Sequence, residues 1–313
     1  MSVSAAIAAV ESLRPEQKLF LKEQKIRSSM PAGRWSESLT QVVDLGRLTL
    51  PASRFCRQFG CLAMVVALAA AFAAFKWPLL GLPALVLAAG AVAWTRWKSA
   101  QLLGAGKAEF EARVEKLLLP CVRIFQRDME ASQPLRLEVD LSPGLGEMVG
   151  QPLQLPGPFK NRSLLKVVEK LYRKPLLAGQ ARLADGSVLA WRVLYHLRVR
   201  EITKRGASGK TKHKVKTRGR RLIAVRLGLR ADAWSLAAHA PAAAPAGVAA
   251  GITSSANGRR LVLKVRRTVE LGKAFDLGKA APADGLEDLL ATIGGLYSQV
   301  RRRPGAAARQ GQP

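Results

Sequence analysis

The segment KRGASGKTKHKVKTRGRR, residues 204–221, combines nine basic residues with half of a nucleotide-binding motif and contains no acid. A P-loop needs a glycine, four further residues and then Gly-Lys-Ser/Thr, so that backbone N–H groups surround the phosphates. Gly209, Lys210 and Thr211 supply the second half, but Lys204 stands where the first glycine should be. No helix start follows the segment, although a P-loop must open a helix. We therefore interpret the segment as a basic surface.

Basic residues recur at every second position from Lys210 to Arg220. Successive residues of a strand point to opposite faces, so a continuous strand would carry these side chains in one row. The run before the segment alternates in the same way. We predict that the resulting cationic sheet binds an anionic partner through ten residues: Arg198, Arg200, Lys204, Arg205, Lys210, Lys212, Lys214, Lys216, Arg218 and Arg220. In the alternative interpretation they only keep the outer face of the sheet soluble.

The composition also indicates an anionic partner. The 313 residues include 50 Lys and Arg against 22 Asp and Glu, a formal net charge of +28. A charge of this size attracts polyanions such as nucleic acid, anionic lipid or an acidic protein. The three cysteines have no histidine near them in sequence, which argues against a disulfide framework and against a zinc site. We predict no metal and no cofactor.

Residues 59–95 contain a single charged residue, Lys76. The sequence KWP divides them into two apolar runs, and each run as a helix would cover roughly 25 Å, close to the thickness of a bilayer core. Trp77, Trp94 and Trp97 stand at the ends of these runs, where aromatic rings favour the headgroup level. The pattern predicts a transmembrane hairpin of two spans.

Basic residues flank this hairpin on both outer sides, whereas the turn carries only Lys76. The positive-inside tendency then places both termini in the cytosol, and we predict a bacterial inner-membrane protein. Gly81, Gly90 and many alanines permit close helix packing, so a homo-oligomer could form through the hairpin. No ionisable residue lies in mid-span, which argues against a transport pathway.

The predicted fold class is α+β, with the two-span hairpin followed by a cytosolic, mainly antiparallel β domain with flanking helices. Five segments are expected: a cytosolic N-terminal helical segment (1–57), the transmembrane hairpin (58–98), a juxtamembrane helix (99–133), the basic cytosolic α+β domain (134–303) and a disordered tail (304–313).

Three helices are predicted outside the hairpin and the juxtamembrane segment. Residues 4–29 are expected to be helical with a break at Pro15. RSLLKVVEKLYRK, residues 162–174, has apolar residues at helical spacing. A leucine stripe beginning at Leu286 predicts a C-terminal helix that covers the sheet, and Arg301–Arg303 suit its C-terminal end.

Two further segments predict a turn and a linker. Asp185 and Gly186 separate two alternating runs, which is a strong signal for a β-hairpin. HAPAAAPAGVAAGITSSANG, residues 239–258, is rich in Ala, Pro and Gly and predicts a flexible linker.

No catalytic signature of the Ser-His-Asp, Cys-His or paired-carboxylate type can be assembled, so we do not expect an enzyme. We predict a membrane-anchored, non-catalytic binding protein. Anionic lipid is the favoured partner because the anchor holds the sheet near a leaflet, where each Lys or Arg contributes about 1 kcal/mol. The alternative is a membrane effector that binds nucleic acid or a nucleotide second messenger, although the basic strand faces lack the aromatic rings on which single strands stack.

Overall fold

The computed structural model describes residues 3–76, 78–101, 108–156, 164–206, 208–237, 248–254, 260–271 and 283–303. The chain divides into two compact units. The helical unit holds residues 1–25 and 36–119, and the sheet unit holds residues 26–35 and 120–313. The fold is α+β with a mainly antiparallel sheet, which confirms the predicted class at that level.

Helices make up the described part of the helical unit. They are α1 (Val3–Glu11), α2 (Pro15–Glu23), α3 (Ala32–Lys76), α4 (Pro78–Gln101) and α5 (Ala108–Arg113), followed by a π-helical turn (Val114–Leu118). Pro15 is the first residue of α2, where its fixed φ suits the helix and its missing N–H leaves no bond unmade. Gln24 ends α2 because its backbone adopts the left-handed conformation, with φ of 59°.

The N-terminal half of α3 packs against other helices of the helical unit. Ala6 and Ile7 of α1 form a buried cluster with Ala52 of α3. The side-chain amide of Gln17 in α2 donates a hydrogen bond to the Gln41 side chain of α3 at 2.8 Å. α3 therefore begins as a member of a small helical bundle.

The C-terminal half of α3 is apolar and exposed. α3 is the one described helix that is long and apolar enough to cross a membrane, over Ala32–Phe72, and 18% of its most apolar window is buried. Leu62, Val65, Leu68 and Phe72 are among its exposed side chains. The core helix of a soluble protein would bury such residues. The structure thus supports one candidate span and leaves the second a prediction.

The main sheet of the sheet unit contains nine described strands: β1 (Lys25–Pro31), β2 (Pro134–Asp140), β3 (Glu147–Met148), β4 (Leu153–Gln154), β5 (Leu164–Arg182), β6 (Val188–Arg205), β7 (Thr211–Arg230), β9 (Val248–Ser254) and β10 (Arg260–Leu271). Two short strands, β8 (Trp234–Leu236) and β11 (Val300–Arg302), pair separately. The described helices of this unit are α6 (Leu119–Asp128) and α7 (Ala283–Tyr297).

The strand order of the main sheet is β1-β2-β5-β6-β7-β10-β9, with β3 and β4 beside β5. β5, β6 and β7 are its longest strands, with 19, 18 and 20 residues. β5 and β6 form the predicted hairpin: Gly186 has φ of 78°, and the Leu183 N–H donates to the Ser187 carbonyl at 2.8 Å. Among the described residues, β10 pairs with β7 as far as Gly219, and β7 extends from there to Thr211.

One face of the sheet is covered by helices. Trp191 of β6 stacks on Phe125 of α6 with ring centroids 4.3 Å apart. Arg221 of β7 is 2% exposed and pairs with Asp288 of α7 at 2.7 Å, and Arg267 of β10 pairs with the same carboxylate at 3.3 Å. A buried cation needs such a partner, so the ion pairs fix α7 on the sheet. We call this side the covered face and the opposite side the open face.

Two segments predicted to be helical are strands. Residues 25–31 form β1 beside β2, because α2 ends at Gln24 and the following residues alternate between exposed and half-buried positions. The predicted helix over residues 162–174 is also wrong from Leu164 onward, where β5 begins and pairs with β6. Val167 and Val168 favour strands, and an apolar spacing that fits a helix could not reveal the partner strand.

The C-terminal predictions are partly wrong. Residues 248–254 of the predicted linker form β9 and pair with β10, while the rest of that linker lies outside the described residues. The C-terminal helix is present as α7, but it ends at Tyr297, and Arg301 and Arg302 belong to β11. The predicted disordered tail lies outside the described residues.

Candidate anion-binding surface

The ten predicted anion-binding residues lie at one end of the sheet. We call this end the basic arm; it consists of residues 196–205 of β6, residues 211–220 of β7 and the turn between them. The first half of β5 pairs with β6 here. In the turn the Gly206 N–H donates to the Lys210 carbonyl at 2.8 Å, and Gly209 has φ of 75°. The GKT sequence therefore leads into a strand, whereas the same sequence in a P-loop would lead into a helix.

The tip of the basic arm is exposed on both faces. All side chains from Thr211 to Lys216 are exposed, and Val215 is 63% exposed although it is apolar. The described part of β10 ends at Leu271, opposite Gly219, so no described strand lies beside the outer edge of β7 from Thr211 to Arg218. Lysines on such an edge hinder the addition of another strand, which is the solubility role of the alternative interpretation.

The register of the basic arm places like charges side by side on the open face. Directly opposite pairs are Lys204 with Lys212, Arg200 with Lys216 and Arg198 with Arg218. Like charges in such positions, with Cβ atoms about 4.5–5.5 Å apart, destabilise a sheet. Two predicted residues lie outside this face: Lys210 is in the turn, and Arg205, opposite Thr211, has the other strand parity. An anion on this face would remove the repulsion.

Glu169 of β5 neutralises two of the predicted cations. Its carboxylate accepts hydrogen bonds from Arg198 at 2.7 Å and from Arg200 at 2.9 Å, and its side chain is 11% exposed. The hydrogen bond from Arg198, aided by Arg200, holds the pKa of Glu169 below its ordinary value against the opposing effect of burial. Glu169 is therefore ionised at neutral pH. The sequence did not reveal this contact because its segment resembles a helix.

Other acids neutralise little of the remaining charge. Arg220 pairs with Glu270 of β10 at 2.6 Å, and Glu201 pairs with Lys170 on the covered-face side of the arm. The Arg220 pair is exposed on both sides and contributes little to stability. Among the described residues, seven of the ten predicted cations have no acidic side chain within 4 Å: Lys204, Arg205, Lys210, Lys212, Lys214, Lys216 and Arg218.

Two exposed leucines share the open face with the basic row. Leu171 of β5 lies opposite Arg198, which in turn lies opposite Arg218. Leu153 of β4 lies opposite Glu169. These leucines are 48% and 59% exposed. Exposed apolar groups beside Lys and Arg are typical of surfaces that lie on a membrane, where each type of side chain meets its own layer.

The described residues offer binding groups more than reactive ones. They contain no cluster of three or more His, Cys, Asp or Glu side chains that could hold a metal ion. Burial raises the pKa of the Cys121 thiol to about 12, so this cysteine stays protonated and is a poor nucleophile. The surface can attract an anion and donate hydrogen bonds to it.

Comparisons with protein-family models, with curated proteins and with solved structures found no match for this chain.

Proposed function

We propose that this chain is a membrane-anchored, non-catalytic protein whose basic arm docks on an anionic lipid surface. The observation that carries the proposal is the open face at this end of the sheet, which presents both cations without acidic partners on β6 and β7 and the exposed leucines Leu153 and Leu171 on β4 and β5. The cations attract the lipid headgroups, and the leucines reach the apolar boundary beneath them.

The magnitude of this attraction is sufficient for docking. Lys212, Lys214, Lys216 and Arg218 form a row on one strand face, and each contributes about 1 kcal/mol near an anionic leaflet. Together they supply about 4 kcal/mol, before the leucines add their share. An anchor in the same chain makes the encounter intramolecular, so a modest intrinsic affinity is enough.

Nucleic acid is the second candidate, because the same row could neutralise a phosphate backbone without reading sequence. Single-strand binding would use exposed aromatic rings as stacking platforms. The described open face of the basic arm carries Ile202 and no aromatic ring apart from His196, and the exposed leucines Leu153 and Leu171 lie on the neighbouring β4 and β5. This composition favours lipid.

The anchor in this proposal is the predicted hairpin of two spans, with both termini in the cytosol of a bacterial inner membrane. Its support is the exposed apolar half of α3 and the 24-residue helix α4, in which Trp94 and Trp97 are exposed near the C-terminal end. Interfacial tryptophans are expected at such positions.

Cysteine labelling tests this topology. In a chain with Cys56, Cys61 and Cys121 replaced by serine, Lys76→Cys should react with a membrane-impermeant maleimide in right-side-out vesicles, and Ser4→Cys should react only in inverted ones. Labelling of both positions from the same side would contradict the two-span topology.

Co-flotation tests the docking itself. The full chain is held in nanodiscs of neutral lipid and mixed with vesicles of phosphatidylcholine or of phosphatidylserine across a salt series. We expect flotation only with phosphatidylserine, fading as salt rises because the charges are screened. The triple variant Lys212→Ser, Lys214→Ser and Lys216→Ser should weaken binding by about 100-fold, since three contributions of about 1 kcal/mol are removed.

The matched control removes three positive charges elsewhere. Arg123→Ser and Arg127→Ser lie on α6, and Arg182→Ser lies at the other end of β5. This control should bind nearly as the unchanged chain does. If both triple variants lost affinity equally, the basic row would act only through the overall charge of the chain. If the chain bound single-stranded RNA but not phosphatidylserine vesicles, nucleic acid would replace lipid as the partner.

A further inference from the structure

A groove of about 640 Å³ crosses the open face in the half of the sheet away from the basic arm. Its volume lies in the range of small-molecule sites, about 300–1,000 Å³. One carboxylate lines it, Glu138, which already pairs with Arg27 at 3.8 Å. Against it stand six cations: Arg27, Arg136, Arg192, Arg226, Lys264 and Arg266. None of these was among the residues predicted to bind an anion.

Small residues form the floor of the groove between these cations. Ala224 of β7 has Arg192 opposite it on β6 and Arg266 opposite it on β10. Ala190 of β6 lies opposite Arg226. Alanine is depleted in strands, and its methyl group leaves a hollow between two long side chains. The hollow over Ala224 is therefore bounded by a guanidinium on each side.

The charges of the groove are arranged at two levels along the strands. Arg226 and Lys264 are directly opposite each other, and no described acid lies within 4 Å of either, so this pair is repulsive when the groove is empty. Arg192 and Arg266 lie two residues further along, about 7 Å away, on β6 and β10, which flank β7 and are therefore about 9.6 Å apart. Guanidinium groups bind phosphate oxygens in pairs of parallel hydrogen bonds. Cations at two levels therefore suit a ligand with linked phosphates.

The described groove residues offer no ring on which a nucleobase could stack. Trp191 belongs to the strand that forms the floor, but its ring stacks on Phe125 on the covered face. Recognition must then rest on the phosphates. We propose that the groove binds a small soluble ligand through two or more linked phosphate groups, either a nucleoside polyphosphate or an inorganic oligophosphate. This proposal does not depend on lipid docking by the basic arm.

Titration calorimetry with the full chain in neutral detergent tests it, with ATP, tripolyphosphate and orthophosphate as probes. We expect ATP and tripolyphosphate to bind and orthophosphate to bind at least about 10-fold more weakly, because it can meet only one level of cations. The variant Arg192→Gln, Arg226→Gln and Arg266→Gln should weaken binding by about 10-fold for each arginine that contacts the ligand. The control variant combines Lys212→Gln, Lys214→Gln and Lys216→Gln and so removes the same charge from the basic arm. It should bind ATP and tripolyphosphate as tightly as the unchanged chain does.

Ala224→Val separates a shaped site from diffuse charge. It keeps all six cations and uses a good strand former, but it fills the hollow, so binding should fall although the net charge is the same. Similar affinity for ATP and tripolyphosphate would show that the phosphates alone are recognised, and tighter ATP binding would add a contact to the nucleoside. Three results would overturn the proposal. They are an equal loss of affinity in the two glutamine variants, an Ala224→Val chain that binds as tightly as the unchanged chain, and no binding of any probe at about 1 mM.

Discussion

Gly179 is a position at which one added methyl group should destabilise the sheet. It lies directly opposite Trp191, and a Cβ at this position would approach the indole atoms Cζ2, Cε2 and Cη2 to 2.3, 2.6 and 2.8 Å. Carbon atoms in contact prefer about 3.5–4.0 Å, so the ring would have to retreat by more than about 1 Å. Phe125 stacks behind it at 4.3 Å and leaves little room for that movement.

Gly179→Ala should therefore destabilise the sheet unit. Overpacking of this kind costs about 1–3 kcal/mol, and alanine recovers about 0.5–1 kcal/mol because it loses less backbone entropy in a strand than glycine. The net loss of about 1–2 kcal/mol corresponds to a Tm lower by roughly 3–6 °C for a unit of this size. Thermal unfolding of the full chain in neutral detergent, followed by near-ultraviolet circular dichroism, measures it.

A double-mutant cycle identifies the indole as the cause. Trp191→Phe shortens the ring, and the Trp191 Nε1 has no hydrogen-bond partner among the described residues, so no polar contact is lost with it. Trp191→Phe should lower the free energy of unfolding of the Gly179→Ala chain by at least about 1 kcal/mol less than it lowers that of the unchanged chain. A Gly179→Ala chain as stable as the original, or additive effects in the cycle, would refute the steric reasoning.

Two acids of the sheet unit, Glu169 and Asp288, give three further predictions. Glu169→Gln should raise affinity for phosphatidylserine vesicles by about fivefold, because Arg198 and Arg200 lose their internal partner and at least one becomes available to lipid. The same variant should be less stable than the unchanged chain at neutral pH. Since the folded pKa of Glu169 is depressed, its stabilising effect is complete above the unfolded pKa and is lost as pH falls through the folded one. Urea unfolding should therefore show a difference at pH 7 that vanishes in acid; a constant difference would contradict the ion-pair origin. Asp288→Asn should lower the free energy of unfolding by about 3 kcal/mol or more, because it leaves Arg221 buried without a counter-charge. Adding Arg221→Met to Asp288→Asn should restore much of the lost free energy of unfolding. If it did not, the loss in Asp288→Asn would not arise from the uncompensated charge of Arg221.

Local patterns predicted the parts of the fold that depend on neighbouring residues. The Asp185-Gly186 hairpin, the alternation in β6 and β7 and the helix α7 follow from turn chemistry and periodicity. β5 could not be predicted in its first half, because residues 164–174 satisfy a helical spacing and only pairing with β6 decides between the two. β1 shows the same limit, since its partner β2 lies far along the chain.

The candidate surfaces were predictable to the same extent. The lysine row from Lys212 to Lys216 follows from strand parity alone. The neutralising role of Glu169 and the leucines beside the row depend on the register between β5 and β6. The groove depends on four further strands, whose arginines stand opposite alanines only once the order of the sheet is known. Parity identifies a basic face, and registers decide which of its cations are free.

The placement of β1 has a consequence for biogenesis. β1 is synthesised before the apolar helices and its neighbour β2 after them, and the Trp35 indole N–H donates to the Leu135 carbonyl at 2.8 Å across 100 residues of sequence. At translation rates of about 5–20 residues per second, β1 waits about 5–20 s for its partner. β1 and β2 can therefore pair only after the helices α3 and α4 have left the ribosome. A chain truncated to begin at residue 99 would never receive β1, and its β2 edge would stay open to other chains.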